Sequence, residues 1–269
     1  MGFIEKIAAL VPDVAGPKQK RLPFKEKLKW TLVVLLLFYV LGLIPLFGLG
    51  ANALQQFEFL SIILGASFGS IISLGIGPLV TGSIVLQLLS GTGMLKIDTT
   101  TTEGRRKFQS IQKMMGIVFI LFEAAIYVLM GGLAPAAEFA GTPLYAQFEA
   151  VLIFQLILGG FVIFYMDQVV SKWGFGSGLS LFITAGVAQQ LFIRAFNFLP
   201  SPTNPDIAAG ALPAFFQALS RGLVTDAALQ IAAIISTLVV FAICVYGQAM
   251  KVEIPLSFGK VRGYGMRWP

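Results

Sequence analysis

Apolar positions fall in runs near twenty residues, set between short stretches that carry almost all of the charge. A spanning helix needs about that length, because roughly 30 Å of hydrocarbon must be covered at about 1.5 Å per residue. The pattern predicts six crossings. Five are uncomplicated, at residues 30–49, 114–133, 150–170, 179–198 and 227–250, with Trp30 at the depth where interfacial aromatics sit. The stretch 50–91 is long enough for two helices and needs separate treatment.

Basic residues fix the topology. The first 29 residues hold Lys6, Lys18, Lys20, Arg21, Lys25, Lys27 and Lys29, and the next cluster is Lys96, Arg105, Arg106, Lys107 and Lys113. Positive charge is retained on the cytoplasmic side of a membrane. With Lys172, Lys251, Lys260, Arg262 and Arg267 on that side too, only Arg194 and Arg221 of the 19 basic residues lie outside. Both termini of the chain are then cytoplasmic, and Gly50 is external while Lys96 is internal. An odd number of crossings must lie between them. One crossing at 76–89 and one re-entrant half-helix at 57–73 satisfy this, with Gly65, Gly69, Gly75, Gly77 and Pro78 marking the break. Irregular backbone at membrane depth requires protein or a water-filled cavity around it, so the bundle is expected to enclose a cavity.

The resulting organisation is a cytoplasmic segment 1–29, a five-helix half over 30–198, an external loop 199–226 rich in Pro, Ala and Gly, a sixth span at 227–250 and a cytoplasmic stretch 251–269. The charged start followed by a full-length span does not read as a secretory signal. Residues 1–11, with Ile4, Ile7, Ala8 and Val11 on one side, read either as an interfacial helix or as a frayed terminus.

Composition narrows the chemistry. The 269 residues are 57% hydrophobic and only 12% charged, against roughly 25% in soluble domains. There is no histidine and one cysteine, Cys244, expected as a small buried residue. Disulfides, His/Cys metal centres and Ser-His or Cys-His nucleophile pairs are thereby excluded within the chain. Neither metal nor cofactor is expected. The net charge of +6 suggests contact with anionic lipids, or with ribosomal RNA through the basic loops at 96–113 and 250–269.

Two helix starts share a design. A glycine-rich turn (Gly75, Gly77, Pro78; Gly174, Gly176, Gly178) opens each, and bulky apolar residues follow four apart, Ile76 with Val80 and Leu179 with Ile183. Such pairs stack on one helix face. Facing a wet cavity they would form a constriction that blocks ions by dewetting, although plain bundle packing also explains them and periodicity alone favours it. Gln87 and Gln190 lie farther along the two helices. No Lys-Ser/Thr follows either glycine cluster, so neither is a phosphate loop. Glu123, in the apolar run 119–129, must face the bundle interior, water or a partner. Asp167 and Lys172 read as boundary charges on one side, Arg194 and Arg221 on the other.

The segments FKEKLKW, FEF, LGIGPLVTGSIVLQLLSG, SKWGFGSGLSLFITAGV and MKVEIPLSFGKVRGYG together resemble the SecY family in its archaeal form, the channel subunit of the protein translocase, over the whole chain. The resemblance implies an all-α polytopic membrane protein of two inverted five-helix halves around an hourglass pore. It implies a central apolar ring that here comprises Ile76, Val80, Leu179 (in place of a more usual isoleucine) and Ile183, which reverses the preference for plain packing. A plug would include Phe57, Ile62, Ile63, Gly65, Ala66 and Gly69. Thr81, Gln87 and Glu123 would be polar residues of a lateral gate, and Lys260 and Arg262 would help dock the ribosome. Implied partners are a SecE-type subunit, a SecBeta-type subunit, the ribosome, signal sequences and nascent polypeptides, at the cell membrane. The family has ten spans and this chain reaches only the loop after the sixth, so it is expected to need spans seven to ten for a complete channel. The main rival is a secondary transporter, which also uses broken helices and inverted repeats but needs ionisable ligands near the midplane; Glu123 is the one good candidate. A membrane-embedded enzyme would need an acid, base or metal set at depth, which the sequence does not offer.

Overall fold

A computed structural model describes residues 12–19, 22–50, 69–95, 97, 100–200 and 207–250, and the backbone of 254–257 and 265–268. The helices are α1 (Phe24–Gly42), α2 (Gly77–Gly91), α3 (Thr102–Leu129), α4 (Pro143–Trp173), α5 (Gly178–Phe196), α6 (Ala211–Ser220) and α7 (Val224–Ala249), followed by an antiparallel pair, β1 (Ile254–Ser257) and β2 (Gly265–Trp268). The chain divides into two compact units, 1–190 and 191–269, with the division inside α5.

Of the described helices, α3, α4, α5 and α7 are long and apolar enough to cross a membrane. The remaining two expected crossings are built differently. The run expected to be helical through residue 49 stops at Gly42, because Pro45 lacks an amide proton and Gly48 takes a left-handed φ of 86°. Residues 43–50 continue without helix, and their backbone groups find partners elsewhere in the protein. Leu46 N–H donates to the Gly69 carbonyl at 2.8 Å, Ile71 N–H to Ile44 at 3.0 Å and Gly50 N–H to Ala134 at 3.0 Å. The other strand of this pairing, Gly69 to Ile76, is a series of turns. The half-helix expected to reach Ser73 therefore does not extend into these residues, and α2 follows with Pro78 in its first turn.

In unit 1 the core is apolar and tight. Ile72, Ile120, Leu152, Leu156 and Ile163 are fully buried, and Phe38 of α1 stacks on Phe182 of α5 with centroids 4.9 Å apart. Glycine permits the closest approaches. A side chain at Gly159 of α4 would collide with the Ile71 carbonyl, one at Gly160 with Ile120, and one at Gly82 of α2 would stand 3.1 Å from the Gly116 nitrogen of α3. Small residues let membrane helices pack backbone to backbone in this way.

In unit 2 the stretch expected to be an external loop contains α6, a ten-residue helix too short to span. Gln217 on it accepts from Ala208 N–H at 2.7 Å. The stretch after α7 holds the β1–β2 hairpin, with Ile254 paired to Trp268 and Ser257 to Gly265. Cys244 is exposed on α7 rather than buried, and Ala227 is the one buried residue of that helix.

Residues 12–17 fasten onto the end of α4. Val14 N–H donates to Gln168 Oε1 at 3.1 Å, Trp173 Nε1–H donates to the Ala15 carbonyl at 2.8 Å, and Asp13 pairs with Lys172 at 2.7 Å and Lys113 at 3.0 Å. Lys172 is thus a clamp and not a solvated boundary charge. Partial burial works against ionisation of Asp13, but hydrogen bonds and charge from Lys172 and Lys113 outweigh it and hold the carboxyl below its usual range.

Two outcomes are expected. Gly159→Val should destabilise the protein by about 1–3 kcal/mol through overpacking, read as a lower melting temperature in detergent, whereas Gly247→Ala on open α7, where nothing stands nearby, should leave it unchanged or raised. The lowered Asp13 carboxyl stabilises the docked segment above the ordinary carboxylate range, and that contribution is lost as pH falls through the lowered value. Trp173 emission, read with Trp30 and Trp268 replaced by Phe, should shift on that acidification; Asp13→Asn should show the shifted spectrum already at neutral pH.

Candidate functional site

The first turns of α2 and α5 carry the four expected ring residues, and unit 1 contains them all. Ile76 is the N-cap residue of α2, only 3% exposed, and belongs to the apolar core. Val80, one turn on, and Leu179 of α5 are half-buried against that core. Ile183 is 39% exposed. The asymmetry on α5 follows from its packing: Gly178 and Phe182, four apart, form the buried edge, and Leu179 and Ile183 lie one position on from each. A residue advance of one turns the helix by about 100°, which leaves Leu179 half against the core and carries Ile183 off the packed face.

Of the three expected gate residues the structure joins two. The Thr81 hydroxyl of α2 and the Glu123 carboxylate of α3 are hydrogen-bonded, and Glu123 Oε2 also lies against Gly77, where an added Cβ would come within 3.1 Å. Thr81 Oγ1 is in addition 2.9 Å from the Gly77 carbonyl. Glu123 therefore faces α2, as a mid-span carboxylate must face protein or water. Gln87 is exposed, six residues beyond Thr81 and on a different face of α2. Among the expected plug residues, Phe57, Ile62, Ile63, Gly65 and Ala66 lie outside the described residues; Gly69 is described, with φ of 86° and its carbonyl bonded to Leu46. Lys260 and Arg262 fall between β1 and β2, outside the described residues.

Four polar contacts lie beyond what residue spacing predicts. Asp167 of α4 was read as a boundary charge, yet it accepts the backbone N–H of Leu179 at 3.0 Å and that of Gly178. It thereby caps α5, whose first amides have no intrahelical partner. Thr31 of α1 fixes the same turn, accepting from Phe175 N–H at 3.2 Å. Gln155 of α4 holds both backbone polar groups of Phe47, accepting from its N–H at 3.0 Å and donating to its carbonyl at 3.1 Å. Gln112 of α3 donates to Ser83 of α2 at 2.8 Å. Spacing along one helix carries no sign of such links between helices; only the occurrence of amides and a carboxylate in apolar runs hints at them.

Among the described residues no three His, Cys, Asp or Glu side chains stand together as a metal site. What the site offers is apolar side chains near the starts of two helices, with Thr81 and Glu123, and Ser83 and Gln112, linked in the seam between α2 and α3.

The chain matches a family profile described as SecY over residues 70–268 and one described as the plug domain of Sec61p over residues 36–69. It is 46% identical to the protein translocase subunit SecY of Methanothermobacter thermautotrophicus, covering 95% of this chain and 54% of that protein. It is 39% identical to the same subunit of Pyrococcus furiosus, covering 96% and 57%. Among solved structures, a protein-conducting channel superposes with a TM-score of 0.75 at 36% identity, over 98% of this chain and 56% of that one. Sec61 in the canine ribosome–channel complex from the endoplasmic reticulum does so with 0.74 at 37% identity, over 96% and 55%. The chain spans about half the length of the curated relatives it matches. With that profile matched over most of its length and these relatives aligned along nearly all of it, this chain belongs to the SecY family.

Proposed function

We propose that the protein is a channel-forming subunit of a protein translocase, which conducts unfolded polypeptides across the cell membrane and releases signal and membrane segments sideways into lipid. It acts as a channel and not as an enzyme, taking its energy from a partner. The observation that carries this reading is the match along nearly the whole chain to protein translocase subunits and to a protein-conducting channel. The exposure of Ile183, off the packed face of α5, is in keeping with it.

In this reading Ile76, Val80, Leu179 and Ile183 contribute to the ring. Apolar side chains there surround diverse translocating chains without binding any, and offer ions no hydration when the channel is idle. The stretch holding Phe57, Ile62, Ile63, Gly65, Ala66 and Gly69 supplies the plug beneath it. Thr81, Gln87 and Glu123 lie along the lateral gate, both termini of this chain are cytoplasmic, and the further spans that relatives possess complete the pore. SecE-type and SecBeta-type subunits are its companions. The ribosome docks through the hairpin stretch around Lys260 and Arg262; a related channel is named in complex with the ribosome.

In reconstituted bilayers with the completed channel, Ile183→Asn and Val80→Ser should each raise resting ion conductance about tenfold by wetting the constriction; unchanged conductance in both would refute the ring. Glu123→Gln should alter gating while polypeptide translocation persists. Abolition of a small-solute uptake activity by that substitution would instead make the protein a transporter.

A further inference from the structure

We infer that Asp167 is a positioning residue for the ring: its carboxylate, reaching from α4 to the first turn of α5, sets where Leu179 and Ile183 stand. This rests on the channel reading above. Leu179, a ring residue, is itself the donor, its N–H 3.0 Å from Asp167 Oδ1, and Gly178 N–H is the second. Gly178 tolerates the approach because it has no side chain; a Cβ there would stand 2.6 Å from that same oxygen. A carboxylate on exposed helix N–H groups makes charge-assisted bonds and meets the positive end of the helix dipole, so the contact is both strong and directional.

The geometry fixes α5 in two senses. The bond is made at the helix's first residues, so it sets how far α5 stands along α4, and it meets a helix whose rotation is held separately by Phe182 on Phe38. With height and rotation both set, the direction of Leu179 and Ile183 follows. The turn leading into α5 is held from the opposite side by Thr31 on Phe175, so the loop between the helices is clamped at both ends. Thr31 lies outside the ring and on another helix, which makes Asp167 the link that touches a ring residue directly.

The test uses the full-length protein with its partner subunits in lipid bilayers, in a background with Cys244→Ser and any other cysteine of the complex also replaced by serine. Ile183→Cys then reports position through its reaction rate with a membrane-impermeant thiol reagent, and resting conductance reports the seal. Asp167→Ala should change the labelling rate at position 183 severalfold and raise conductance, while Asp167→Asn, which keeps one acceptor oxygen, should restore most of both. Combined with Ile183→Asn, Asp167→Ala should add little further leak, since the two act through the same ring; independent, multiplying increments would mean general loosening and overturn the proposal. An unchanged labelling rate in Asp167→Ala overturns it as well, whatever the conductance does. A leak unaffected by Ile183→Asn alone would instead strike the ring reading, with the labelling result still deciding where α5 stands.

Discussion

The governing constraint is that peptide groups at membrane depth must find hydrogen-bond partners within the protein, because hydrocarbon offers none. Long helices meet this automatically. Residues 43–50 and 69–76 do not, and most of the unusual architecture of unit 1 answers that need. The two stretches bond to each other through Leu46 with Gly69 and Ile71 with Ile44, the Gln155 amide takes both groups of Phe47, and Ala134 receives Gly50. A non-helical pair can thus lie among helices without leaving buried polar groups unmet.

Close packing is the second half of the same solution. The turns at 69–76 fit against α4 only because Gly159 and Gly160 leave room for Ile71 and for the neighbouring Ile120. Glycine here is a spatial requirement, distinct from the conformational one at Gly48 and Gly69, where positive φ bends the chain. The two roles fall at different points along the chain.

Much of this could be read from sequence alone. Run length located α3, α4, α5 and α7, and the glycine breaks around 65–78 marked an irregular segment before α2. Helix ends were less visible: apolar residues continue through Pro45 and Gly48, so hydropathy alone extends α1 past the point where the backbone leaves it. α3 begins twelve residues before its apolar run because Thr101 caps it, accepting from Gly104 N–H. The short α6 was hidden by being taken for loop composition, and the hairpin after α7 by its glycines. At the site, the i, i+4 apolar pairs were legible, and so was the oddity of Glu123. The partner of Glu123 was not, nor was the reach of Asp167 to α5, since both depend on which helices become neighbours.

The grip of Gln155 on Phe47 has a consequence for how this position can vary. Holding both backbone groups of one residue requires a planar side chain with donor and acceptor side by side, which at neutral pH only the amides supply, and asparagine is a methylene shorter. Glutamate would press an oxygen against the Phe47 carbonyl, and leucine would leave two peptide groups stranded. The path of the chain at Phe47 is therefore written into a single letter of an otherwise greasy helix, where a hydropathy plot registers nothing but a small dip.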